Sequence, residues 1–146
     1  MTSSSTMTAR IRPSAPGAAR DLIAAASRGL TDAALADHPR EQYALAHLAA
    51  LRAAAAVLAC HARPTRRRGP RSAWELLSMV APDLSEWAAF FAAGAAKRAA
   101  AEAGVGQVSQ REAADLIREA ECFLDLVCTR LQVARQPGLA TLSCTG

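Results

Sequence analysis

The sequence predicts an all-α protein: an antiparallel up-and-down bundle of four long helices plus one short helix. Three observations predict it. Half of the residues are apolar and a large share of these are Ala, while Val, Ile and Thr are scarce and Asn is absent; the best helix former is abundant and the strand formers are nearly missing. Apolar residues recur at three- and four-residue spacing in five segments. Capping signatures stand in front of several of those segments. A length of 146 residues suits one domain, large enough to bury a core without disulfide or metal staples.

The first helix is expected from about Gly17 to Ala36, with Leu22, Ile23, Ala26, Leu30 and Ala33 on one face. The second starts at Pro39, a residue whose fixed φ and missing N–H suit the first helical position. It runs to about Ala62 with Leu48, Leu51, Ala55, Leu58 and Ala62 as its stripe. Ser72-Ala-Trp-Glu75 is an S-x-x-E capping box that opens a short helix from Ala73 to Val80, presenting Trp74, Leu77 and Val80. Asp83-Leu-Ser-Glu86 reads as the Asp version of the same box, opening a helix from Leu84 to Ala103 with Trp87 and Phe91 packing inward and Gly104 and Gly106 ending it. Ser109-Gln-Arg-Glu112 opens the last helix, from Gln110 to Ala134, with a stripe of Ala113, Leu116, Ile117, Ala120, Leu124, Val127, Leu131 and Ala134 and a stop at Pro137 and Gly138. Residues 1–16 and 137–146 are expected to be flexible tails around a helical domain over 17–136.

Charge is mild in total, at +4, but unevenly placed. Residues 1–20 hold Arg10, Arg12 and Arg20 and no acid, and residues 63–71 hold Arg63, Arg66, Arg67, Arg68 and Arg71 and no acid. The last helix is acidic, with Glu112, Asp115, Glu119, Glu121 and Asp125. Cys60, Cys122, Cys128 and Cys144 form no C-x-x-C pair, so free thiols in a reducing cytoplasm are expected and no metal or other cofactor is. No uninterrupted apolar run approaches the roughly 18–20 residues that span a bilayer, and the N-terminus lacks the apolar region of a secretory signal; a cytoplasmic protein that does not enter the membrane is expected. There is no P-loop, dinucleotide-binding glycine motif or serine nucleophile elbow.

Three segments, Tyr43-Ala-Leu-Ala-His-Leu-Ala-Ala-Leu-Arg-Ala-Ala-Ala-Ala-Val-Leu-Ala59, Arg71-Ser-Ala-Trp-Glu-Leu-Leu77 and Glu86-Trp-Ala-Ala-Phe-Phe-Ala-Ala-Gly-Ala-Ala-Lys-Arg98, occur in an order and spacing that resembles a small actinobacterial subfamily of HEPN (higher eukaryote and prokaryote nucleotide-binding) domains. The resemblance covers about residues 18–134. It implies a helical bundle that dimerises, and an activity on RNA, as a metal-independent ribonuclease or an RNA-binding module in toxin–antitoxin or other defence systems. It also implies a partner protein such as an antitoxin.

Active members of the resembled family carry an Arg, four to six residues, then a His. Arg40 and His47 fit, with Tyr43 between them as a supporting residue. Seven helical steps return to within about 20° of the same face, about 10.5 Å along the axis. There the Arg would hold a phosphate and the His would act as general base or acid. The usual pattern sets the Arg five residues before the His, a position held here by Gln42. The arginines at 63, 66, 67, 68 and 71 are the candidate RNA-binding set, each able to add a salt-sensitive phosphate contact. The alternative function is a non-catalytic protein-interaction module, in which His47 packs at a helix face. Trp87 and Phe91 read as core rather than a base-stacking platform, His38 as a turn residue before Pro39, and Asp115 as an ion-pair partner of Arg111 on a solvated face.

Overall fold

Alanine sets how closely the helices approach, and the helix that holds the most alanines lies at the centre. The computed structural model describes residues 15–61 and 72–135. Helix α1 (Gly17–Leu35) turns back through a short link into α2 (Pro39–Ala59). After them come α3 (Ala73–Val80), a 3₁₀ turn at Pro82–Leu84, α4 (Ser85–Ala93), α5 (Ala95–Glu102) and α6 (Gln110–Leu131). Helix α2 packs against α1, α6, α5 and α3, most extensively against the first two. The all-α bundle predicted from composition and period is the one observed. The arginine-rich link at 63–71 and both predicted tails beyond residues 15 and 135 lie outside the described residues.

The central position of α2 corrects the face assigned to it. The Leu stripe is only partly covered, and the buried face carries Tyr43, Ala46, His47, Ala50, Ala53, Ala54 and Val57. A helix surrounded on several sides has little amphipathic contrast, and small side chains on the inner face let its neighbours come close. For the same reason α2 is long and apolar enough to cross a membrane, with a mean hydropathy of 1.3 over 18 residues, yet 56% of that window is buried within the bundle. The predicted stripe of α6 holds as far as Val127: Ala113, Leu116, Ala120, Leu124 and Val127 are buried, together with Phe123, while Ile117 and Leu131 are half-buried and Ala134, beyond the helix end, is exposed.

At one level of the bundle the space between helices is filled by rings. Trp74 of α3 stacks on Phe91 of α4 at 5.2 Å, and Phe123 of α6 touches Phe91 at 5.3 Å and Trp87 at 5.5 Å. Phe91 and Phe123 are fully buried, each contributing on the order of 1.5–3 kcal/mol of transfer free energy.

Both serine capping boxes form. Ser72 Oγ accepts from the Glu75 amide at 3.1 Å and Glu75 accepts from the Ser72 amide at 3.2 Å; the Ser109 and Glu112 pair does the same at 3.0 and 2.9 Å. The Asp83 box does not. Pro82 starts a 3₁₀ turn that makes Leu84 the residue before α4, and Asp83 instead accepts from Arg130 at 2.6 Å. The predicted ion pair of Arg111 with Asp115 is present at 3.8 Å, and Asp115 also pairs with Arg118.

The last helix stops at Leu131, before the predicted proline. Gln132 takes a left-handed conformation (φ 58°) and Val133 donates to the Cys128 carbonyl at 3.0 Å, which closes the helix in a Schellman turn. The turn buries Val133 and sends Arg135 back along α6 to pair with Glu121 and Asp125. Of the described cysteines, Cys60 and Cys128 are free as expected, whereas Cys122 is disulfide-bonded.

The helix predicted over 84–103 is divided at Gly94. A Cβ on Gly94 would lie 2.8 Å from the Tyr43 hydroxyl and 3.5 Å from the His47 ring, so only glycine lets α2 come this near. Gly94→Ala should therefore destabilise the protein by about 1–3 kcal/mol through overpacking. Adding Tyr43→Phe, which removes the clashing oxygen, should recover part of that loss in a denaturant-melt comparison of the single and double variants.

Candidate functional site

Tyr43 and His47 sit one turn apart on the buried face of α2, and the structure brings them together with α5 and the end of α4. The His47 ring is 1% exposed. Around it lie Tyr43 (ring centres 6.5 Å apart), Trp74 (6.1 Å) and Phe91 (6.0 Å). Nε2 is 2.7 Å from the Phe91 carbonyl oxygen, and Nδ1 is 3.1 Å from Nε of Arg98. A carbonyl can only accept and a guanidinium can only donate. The two bonds together therefore assign a neutral ring with its proton on Nε2, donating to Phe91 and accepting from Arg98.

The environment favours that neutral form. Burial pushes the His47 pKa down, the Phe91 carbonyl opposes this, Arg98 adds to the lowering and Glu102 opposes it. Arg98 is held in turn by Glu102, at 2.8 Å. Beside them, Lys97 lies over the Tyr43 ring at 5.8 Å and pairs with Glu112 of α6 at 2.7 Å. Burial raises the Tyr43 pKa; Lys97 works against this and Glu112 with it.

Arg40 is not part of this group. It is exposed, and its Nη1 donates to the Gly104 carbonyl at 2.6 Å, with Gly106 O at 3.5 Å. The shared helical face expected of Arg40 and His47 exists along α2, but the arginine reaches out to the connection after α5 while the imidazole turns into the core. His38 precedes α2 as expected, with no side-chain capping bond. The arginines at 63, 66, 67, 68 and 71 lie outside the described residues. Among the described residues no group of three His, Cys, Asp or Glu side chains is placed to hold a metal ion.

Sequence reasoning missed Arg98, Glu102 and the Phe91 carbonyl as partners of His47. The signals were faint: a glycine inside a helical period, Gly94, and an Arg98 to Glu102 pair at i,i+4. Neither says which residue on another helix they serve.

The all-α bundle is consistent with a HEPN-class protein, and the comparison with protein families identifies that class. The chain belongs to the SAV_6107-like HEPN family, which matches residues 33–128. No curated protein matches it, and no solved structure does.

His47→Ala should cost about 2–4 kcal/mol, because it empties a ring-sized space, leaves Arg98 Nε without its acceptor and removes one of the two donors to the Phe91 carbonyl. Arg40→Ala should cost well under that in the same denaturant melts, since its bonds are exposed to water.

Proposed function

We propose that this HEPN-family chain is a module that binds RNA through its arginine-rich segments and does not cleave it with Arg40 and His47. One observation carries the second half: both ring nitrogens of His47 are committed to protein groups inside the core. A general base must come within hydrogen-bond reach of the proton it takes, and a 2′-hydroxyl has no path to this ring without displacing Arg98 or Phe91. The basic segments support the first half. In the sequence, residues 63–71 hold five arginines and no acid, and residues 1–20 hold three arginines and no acid. Runs of arginine without acidic residues suit a polyanion, whose binding weakens with salt in proportion to the contacts made.

The test pairs cleavage with binding. Purified protein in chelator should leave a structured RNA intact while binding it. Replacing Arg66, Arg67 and Arg68 with Ala should weaken binding and reduce the log–log salt slope by about 0.7 per lost contact for single strands. Metal-independent cleavage that disappears in His47→Ala while the melting temperature stays unchanged would overturn the non-catalytic half; an unchanged slope in the triple variant would overturn the other.

A protein-interaction role is the second reading, favoured by the outer face of α4 and the end of α3, where Phe90 is 47% and Met79 55% exposed. A homodimer is the expected assembly on that face. Sedimentation at tens of micromolar should report a dimer for the native chain and a monomer for Phe90→Glu; a native monomer would count against it.

A further inference from the structure

Helix α5 is attached to the rest of the bundle in an unusual way. Of its eight residues only Ala101 is buried, so apolar burial holds it weakly. Its ties are polar instead: Lys97 to Glu112, Arg98 to His47, and, just beyond it, Arg40 to the Gly104 carbonyl. The first and third are exposed, and exposed ion pairs contribute little. The bond between Arg98 and His47 is the one made inside the protein, and its acceptor is a titratable ring.

We infer that His47 is a proton-operated latch for α5: a second ring proton turns Nδ1 from the acceptor of Arg98 into a donor facing it, and the resulting repulsion frees α5 and the connection after it from α2. No bond is made or broken beyond the proton itself, which comes from water. The bond from Nε2 to the Phe91 carbonyl survives protonation, so α4 stays seated while α5 moves, and the division at Gly94 lies between them.

The groups facing His47 decide the sign. From α5 come Arg98, with Glu102 holding its far side, and Lys97; from α2 comes Tyr43; from α6 comes Glu112, which is paired with Lys97. Helices α3 and α4 present only the uncharged Trp74 and Phe91. The one charge in direct contact with the ring is therefore a cation. The closed form holds the ring below its ordinary pKa of 6.5, by burial first and Arg98 in addition, while a solvated ring in the opened form titrates near 6.5. The closed form keeps its full advantage above about pH 6.5 and loses it as pH falls toward the lowered value. Release would reshape a cleft of about 400 Å³ beside Arg40, whose lining includes Leu45 and Leu48 of α2 and Ala101 and Glu102 of α5. The latch belongs to the bundle itself and stands whatever the basic segments bind.

Hydrogen–deuterium exchange of the full chain from about pH 7.5 to about pH 5, corrected for intrinsic rates, tests the inference. Protection in α5 should fall by up to about tenfold per pH unit below about 6.5, while α1 stays protected. The fall should level off at the midpoint of His47 in an imidazole NMR titration. His47→Gln can still donate to Phe91 and accept from Arg98 but cannot titrate, so its α5 exchange should be flat over the same range. If that variant does not fold, coincidence of the levelling-off in α5 with the His47 midpoint in the native chain decides. Protection of α5 that is constant with pH, that falls equally in His47→Gln, or that falls together with α1 would overturn the latch.

Discussion

A neutral imidazole held between a helix carbonyl and a guanidinium is the constraint around which the centre of this bundle is arranged. His47 can satisfy both nitrogens only if the Phe91 carbonyl points at α2 and if Arg98 returns from the next turn of the following helix. The first condition places α4 so close that position 94 must be glycine, since Tyr43 occupies the space of any side chain there. At the same point the Gly94 amide bonds to the Phe91 carbonyl at 3.0 Å, so that oxygen serves two donors where the helix divides. The break between α4 and α5 is thus tied to a polar contact from a different helix.

Much of the remaining fold follows from having alanine where larger side chains would ordinarily sit. Small residues bring backbones together but fill little volume, so the aromatic residues are concentrated at one level, where Trp74, Trp87, Phe91 and Phe123 meet. Helix ends are secured separately. Two reciprocal serine–glutamate boxes start α3 and α6, and a left-handed Gln132 ends α6 and turns Arg135 back onto the buried Glu121. A buried carboxylate with its guanidinium partner is strongly destabilised by loss of either member, so the turn after α6 is fastened by charge as well as by burial of Val133.

Family membership places the chain among HEPN-class bundles, but a fold hosts functions through the sites built on it. The same helical register that sets Arg40 and His47 on one side of α2 leaves one at the rim and the other in the core, because neighbouring helices cover the second and not the first. The arginine holds the connection after α5 and the histidine holds α5 itself, so both residues tie the same part of the fold to α2.

The amino-acid sequence by itself determined the helical class, the starts of α3 and α6, the inward stripe of α6 and the burial of Phe91, because caps and periods are local and need no knowledge of neighbours. It also carried the resemblance to the HEPN family that the comparison bears out. It pointed to the wrong face of α2, because leucine normally marks the buried side and a central alanine-rich helix is covered on several sides at once. It set Asp83 as a cap and carried the last helix three residues too far, because Arg130 and the burial of Val133 compete from outside the local segment. The candidate site divided in the same way. Residue types and spacing singled out Arg40, Tyr43 and His47, but whether their side chains meet solvent or core depends on what packs across from them. Only the tertiary structure supplied Arg98 and the Phe91 carbonyl, partners 51 and 44 residues away in the chain, and with them the protonation state of the ring.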